Sequence, residues 1–596
     1  MKHYKMLLAC CVAMFTLAAC DLDQFPQAVL SPENSFKTET ELQLYINGIV
    51  PTLSSSVESD IMEKADNGVF PDLPAYISGN RSATENAGSW SWTNLRKINI
   101  FLKYSVNCPD VEVRQKYDAI ARCLRAYFYY GKLKTFGDVP WYDTVLESDD
   151  PALYKGRDSR EFITEKILDD LDYAIKYAPT EKKLNECTKW TALAIKSRFC
   201  LFEGTFRKYH NIGTEEEWQK LLKECVSASK ELMEAGVYQI DMTGGPTVAY
   251  RDLFAQPATG DASKTEVILA RTYSIGQGVK HGTNYAINNI SGKQMGLDKA
   301  LINSYLMKDG SRFTDKENYD KMSIVEECMD RDPRLAQTIR TPKFIRVGLT
   351  ADKVGLMQDA VKVSTTGYMP IKYVQDESHD AQTQNDNDII AFRYAEVLLN
   401  YAEARAELGN LTQDDINKSI KLIRDRVGMP NLYKKDANAN PDPFLADQYP
   451  AVTGENKGVI LEIRRERRIE LVMEGLRYDD LMRWKAGALM VRDFKGIYVP
   501  EVNGVIGYSL KDMSANNWSA EKGNFFFYEE GYTPPKQTNA LQLGVGIFLS
   551  NGKEGNKIVS SHAGKKSWDE TRDYLAPIPK SEILINKNLV QNPNWK

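Results

Sequence analysis

Apolar residues recur at three- and four-residue intervals over most of the first 240 positions. Tyr117, Ile120, Ala121, Leu124, Tyr127, Phe128 and Gly131 follow this spacing, as do Trp190, Leu193, Ala194, Ser197, Cys200, Leu201 and Gly204. A third set runs Trp218, Leu221, Leu222, Cys225, Val226, Ser229, Leu232 and Met233. A period of about 3.6 residues places each set on one face of a helix. Gly137, Pro140, Pro179 and Gly236 punctuate the segments, and antiparallel helix pairs are the expected packing.

Between Asp241 and Asp388 the period fades, and Gly, Asn, Thr and Tyr rise, as in Thr272-Tyr273-Ser274-Ile275-Gly276 and His281-Gly282-Thr283-Asn284-Tyr285. Helices are predicted again over 389–408, 412–427 and 456–486. From Val499 to Ser567 the chain is rich in Gly, Asn and aromatics, including Phe525-Phe526-Phe527-Tyr528. Tyr401 to Asn410 has the small-residue face and terminal Gly-Asn of a tetratricopeptide-like helix, although the full 34-residue repeat is absent. The expected fold is mainly α: tetratricopeptide-like helix pairs over 36–240 and 389–490, with loop-rich insertions and little β over 241–388 and 499–567. Long irregular segments in a compact protein usually carry function. No flexible linker is evident, so 20–596 reads as a single domain.

The N-terminus begins with Lys2 and Lys5, followed by an apolar run from Met6 to Ala19. That run is too short to span a bilayer and reads as a signal peptide over 1–19. It ends Leu17-Ala18-Ala19-Cys20, the lipobox pattern in which the cysteine is acylated. Cys20 is therefore the expected lipid anchor. The six cysteines downstream include no C-x-x-C, and several fall on apolar helix faces, so mostly free thiols are expected.

Composition narrows the function. With 76 basic and 81 acidic side chains the net charge is −5, which argues against nucleic acid as a partner. Only 5 histidines stand beside 31 Tyr and 9 Trp, far more material for stacking than for proton transfer. There is no G-x-S-x-G, H-E-x-x-H or Walker loop, and no catalytic residue is assigned. Asp436, Asn438 and Asn440 open like a calcium loop, but Pro441 and Asp447 break it. Asp386 and Asp388 read as a solvated loop; no metal or cofactor is expected. The stretch Glu462 to Glu470 reads as a helix laced by its own ion pairs, such as Arg467 with Glu470 or Glu474.

Trp90-Ser91-Trp92 stands out. Trp92, Leu95, Ile98, Asn99 and Leu102 share one helical stripe, so Trp92 is expected in the core with Ser91 as the N-cap. Trp90 falls out of phase after a polar loop. It reads either as an exposed platform for a sugar or partner protein, with Arg81, Asn86 and Asn94 close in sequence, or as core.

Several ordered motifs resemble the SusD/RagB family of outer-membrane lipoproteins. They are Leu124-Arg125-Ala126-Tyr127-Phe128-Tyr129-Tyr130 with Phe136-Gly137-Asp138-Val139-Pro140, then Tyr305, Met307, Asp309 and Gly310. Arg393-Tyr394-Ala395-Glu396-Val397-Leu398-Leu399 follows, then Glu466-Arg467-Arg468, Asp480-Leu481-Met482-Arg483-Trp484 and Pro577-Ile578-Pro579. The resemblance implies a surface-facing, lipid-anchored outer-membrane protein that captures glycan without turning it over. It also implies delivery to a SusC-like TonB-dependent transporter. Glycan contacts are expected at Trp90, Arg81 and Asn94 and, in the mid-chain loops, at Tyr273, His281 and Tyr285. A peptide-binding surface scaffold and a lipid-anchored glycosidase are the alternatives.

Overall fold

The computed structural model describes residues 34–53, 65–84, 87–256, 265–289, 291–342, 344–348, 357–502, 505–508, 525–528 and 539–595. The signal region, Cys20 and Asn86 lie outside them. The N-terminal half is built from α1 (Glu39–Asn47), α2 (Thr93–Tyr104), α3 (Val111–Phe136), α4 (Arg160–Tyr177), α5 (Lys189–His210) and α6 (Glu215–Glu234). The four longest begin at polar caps, Asp110, Ser159, Thr188 and Thr214, whose side chains accept backbone N–H groups of the first turn. The helix α3 packs on α4, and α5 on α6. Four residues join α5 to α6, so the pair is antiparallel.

The apolar stripes are buried as their spacing predicts. On α5 burial extends nearly all round, because α4, α6 and later helices enclose it. Gly204 allows the closest approach there: a Cβ would lie 2.8 Å from Leu222 Cδ2 and 3.2 Å from the Trp218 carbonyl.

The later helices are more broken than the periodicity predicts. Residues Ile389–Arg393 form a strand, β2, antiparallel to β1 (Val267–Arg271). The run Ile-Ile-Ala-Phe is buried on both faces, a pattern that suits a short strand as well as a helix. Helix α7 (Tyr394–Glu407) follows directly. The 412–427 segment divides at Ser419 into Gln413–Asn417 and α8 (Ile420–Arg426). The 456–486 segment divides into α9 (Lys457–Glu470) and α10 (Arg477–Arg483), with Met473 and Gly475 at positive φ between them. The mid-chain insertion has its own apolar cluster around Tyr250, Phe254, Leu297, Tyr305 and Tyr373. The C-terminal insertion holds two small sheets, one ordered Glu501–Val502, Val505–Tyr508, Phe525–Tyr528, Asn539–Gln542. Cys108, Cys123, Cys187, Cys200, Cys225 and Cys328 are unpaired thiols.

The charged helix α9 differs most from expectation. It is buried along nearly its whole length, and apart from Arg465 with Glu462 (3.5 Å) its ionic partners lie on other elements. Arg467 pairs with Glu403 (3.2 Å) and Asp480 (3.1 Å), not with Glu470 or Glu474. Arg468 reaches Asp66 at 3.1 Å, and Glu466 receives Arg334 (2.6 Å) and Arg424 (2.9 Å). Glu470 is bonded by Arg393 (2.7 Å), Arg334 (3.0 Å) and Arg426. Burial alone would raise the Glu470 pKa; the Arg426, Arg393 and Arg334 guanidiniums outweigh it and hold the carboxyl well below the usual range. Buried on every side, the helix neutralises most of its charges through its neighbours.

Candidate functional site

The sequence places a 3₁₀ turn, Ala87–Trp90, directly before α2. This turn shifts the phase by which Trp90 and Trp92 were assigned. Trp90, read either as an exposed platform or as core, is core: it is only 5% exposed, and its indole meets Phe136 at 4.9 Å and Trp92 at 5.5 Å, both edge to face. Trp92, expected in the core, is half-buried and occupies the N-cap position itself. Ser91 does not cap the helix; its hydroxyl donates to Thr93 Oγ1 at 3.3 Å. Lys132 holds the turn from below, donating to the carbonyls of Ser89 and Ser91 while lying over the Trp92 ring. Burial lowers the Lys132 pKa to about 8.

Trp90 and Trp92 form one wall of a cleft of about 450 Å³. Two further aromatics, Tyr142, packed edge to face on Trp92 at 5.6 Å, and Tyr154, come from the segment between α3 and α4, and α11 (Lys580–Ile585) adds the remaining lining. Local bonds make the walls rigid. Asn99 donates from Nδ2 to the Tyr142 carbonyl (3.0 Å) and the Thr144 carbonyl (3.1 Å). The Arg96 guanidinium donates to the Leu146 carbonyl. The Tyr142 N–H donates to the Tyr129 hydroxyl, and Asn588 and Asn586 donate to the Tyr154 and Lys155 carbonyls. Two faces of aromatic carbon with Arg96 and Glu582 beside them suit a ligand with an apolar face and a polar edge.

The other expected contacts do not converge on this cleft. Arg81 is held at 3.1 Å by Asp573 and lies between the Trp568 and Trp595 rings. Asn94, on the first turn of α2, is half-buried and does not line the cleft. His281, expected in an open loop, is buried: Nε2 meets the Asn387 carbonyl and Nδ1 the Thr283 hydroxyl, both at 2.8 Å. Its burial lowers its pKa, so the imidazole is neutral at pH 7. Tyr273 packs edge to face on that ring at 4.6 Å. Tyr285 lines a separate hollow of about 230 Å³ with Gln382 and Thr383. Sequence reasoning missed Tyr142, Tyr154 and Glu582. Trp141-Tyr142 and Tyr154 were visible as aromatics in a segment without helical period, but their meeting with residues more than 400 positions away was not. Among the described residues no group of three or more His, Cys, Asp or Glu could hold a metal ion.

Comparison with known proteins agrees with this architecture. A SusD-like protein P2 from Formosa agariphila is 24% identical across 99% of each chain. A crystal structure of a SusD-like carbohydrate binding protein from Bacteroides fragilis shares the fold, with a TM-score of 0.67 and 23% identity over 93% of this chain and 99% of that one. A second SusD-like protein from the same species gives 0.66 and 21%, over 94% and 98%. Residues 54–193 match a SusD-like group described as starch-binding and associating with the outer membrane. The SusD family itself matches residues 265–595, the part that holds β1, β2, the charged helix and most of its partners, Asp66 excepted. That match spans more than half of the chain, and the chain belongs to the SusD family.

Proposed function

We propose that this protein is a lipid-anchored, surface-facing glycan-binding protein of the outer membrane. It captures oligosaccharide and passes it to a SusC-like TonB-dependent transporter, with no catalytic step of its own. The observation that carries this reading is the cleft, in which Trp92, Tyr142 and Tyr154 offer ring faces beside Arg96 and Glu582. Relatives described as carbohydrate binding or starch-binding support it. Stacking adds roughly 0.5–1.5 kcal/mol per aromatic contact beyond area burial. A short oligosaccharide is therefore expected to bind with Kd on the order of 0.1–10 mM. Trp92→Ala weakens that binding about tenfold, as read by calorimetric titration. Unchanged affinity in Trp92→Ala would put the glycan elsewhere on the protein.

The anchor is Cys20, on the strength of the Leu17-Ala18-Ala19-Cys20 pattern. Multiple acyl chains bury enough methylene groups for stable attachment, at about 0.8 kcal/mol each. Metabolic labelling with a fatty-acid analogue is expected to mark the wild type and leave Cys20→Ala unlabelled. Equal labelling of the two would dismiss the anchor.

A further inference from the structure

The cleft has more aliphatic wall than an unsubstituted sugar chain can use. Leu95, Leu146, Leu153, Ile585 and Leu589 line it beside the aromatic rings, and Leu153 and Ile585 are 37% and 67% exposed. Of its six non-aromatic polar side chains, Thr93, Arg96, Asn99, Thr144, Glu582 and Asn586, two face inward. Asn99 and Asn586 direct their amide N–H groups to main-chain carbonyls. The Asn99 Oδ1 is buried without a partner, which leaves it shut off from water and from a ligand's hydroxyls alike. The groups left to face a ligand are the Thr93, Thr144, Tyr142 and Tyr154 hydroxyls, the Glu582 carboxylate, and the Arg96 N–H groups that Leu146 does not take.

A bare hexose presents hydroxyls around its whole ring, and a hydroxyl buried against leucine loses its water without replacement. An acetyl group has the opposite balance: one methyl to bury and one carbonyl that needs one donor. Arg96 and the two threonines can supply that donor. Glu582 can accept from an acetamido N–H or a remaining hydroxyl.

Resting on the glycan reading of this cleft, we infer that it selects glycans that carry acetyl groups, with the acetyl methyl against the leucine wall. The shared chemistry is the acetyl group, whether it arrives as an acetamide or as an ester.

Two matched pairs separate these sources in calorimetric titrations of the detergent-extracted protein. Chitohexaose against cellohexaose tests the acetamide; acetylated xylan before and after alkaline removal of its esters tests the ester. The acetylated member of at least one pair is expected to bind about tenfold more tightly. Leu153→Asn and Ile585→Asn, both at exposed positions and checked by melting temperature, are expected to shrink that preference, read as the ratio of the two affinities within each pair. Equal binding within both pairs, or a preference that both variants keep, overturns the inference and leaves the glycan reading standing. No binding of any of the four up to about 10 mM overturns both.

Discussion

Glu470→Ala lowers the free energy of unfolding by roughly 3–5 kcal/mol, a large part of the 5–15 kcal/mol typical of a folded protein. The variant removes the carboxylate that Arg393, Arg334 and Arg426 share and leaves these buried guanidiniums one negative charge short, with Glu266, Glu474, Asp332 and Glu466 as their remaining partners. Urea denaturation of both proteins reads the difference directly. Asp414→Ala, which removes a solvent-exposed partner of Lys418, serves as the control and changes stability by less than about 0.5 kcal/mol. A Glu470→Ala protein as stable as that control would show that the buried charges are neutralised in some other way. The same group sets a pH dependence. Its folded pKa lies below the unfolded value of 4.5, so its contribution is complete above that pH and is lost as the pH falls further. Glu466, Glu474 and Asp480 are shifted in the same direction: burial would raise each, and facing guanidiniums lower it. Acid below about pH 4.5 is therefore expected to unfold the wild type, and Glu470→Ala is expected to lose less stability over that range.

Trp90→Ala is the second large effect. The indole fills the space between Phe136 and Trp92, and its removal leaves a cavity in a rigid wall. The expected loss is roughly 3–5 kcal/mol, seen as an early thermal melt. Trp92→Ala, by contrast, is expected to melt within a few degrees of wild type and to lose ligand. The two variants together separate support from contact. Should Trp90→Ala melt normally, the turn at 87–90 holds itself without the indole.

The long helices were legible because their burial is one-sided or nearly so: Tyr117 to Leu124 on α3 and Leu221 to Leu232 on α6 repeat at helical spacing and are buried. The strand at 389–393 was not, because a five-residue run buried on both faces has no period to distinguish it from a helix turn. The divisions near Ser419 and Met473 were missed for a related reason. Apolar spacing continued across them, and only backbone conformation marks the breaks. In α9 the spacing of charges was read correctly as ionic, but which partners they meet depends on burial, which a single helix cannot reveal. Among the motifs that carried the family resemblance, Arg393, Glu466, Arg467, Arg468, Asp480 and Arg483 are members of this network. They identify a scaffold and are silent about its ligand. At Trp90 and Trp92 the error was a single position of helical phase, caused by placing the cap at Ser91 when the helix starts one residue later.

Asp66 is bonded by Arg468 and Arg477, which lie 402 and 411 positions further along the chain. A polypeptide made and exported from its N-terminus has neither arginine when Asp66 emerges. The turn at Asp66 therefore cannot lock into place while synthesis is under way; it has to wait for the charged helix, even though α1 and α2 can already pack on α3. Order of synthesis and order of folding run in opposite senses at this turn: what is translated first is fixed last. A nascent chain stopped before residue 468 would consequently stay sensitive to protease near Asp66, however many of its helices had already paired.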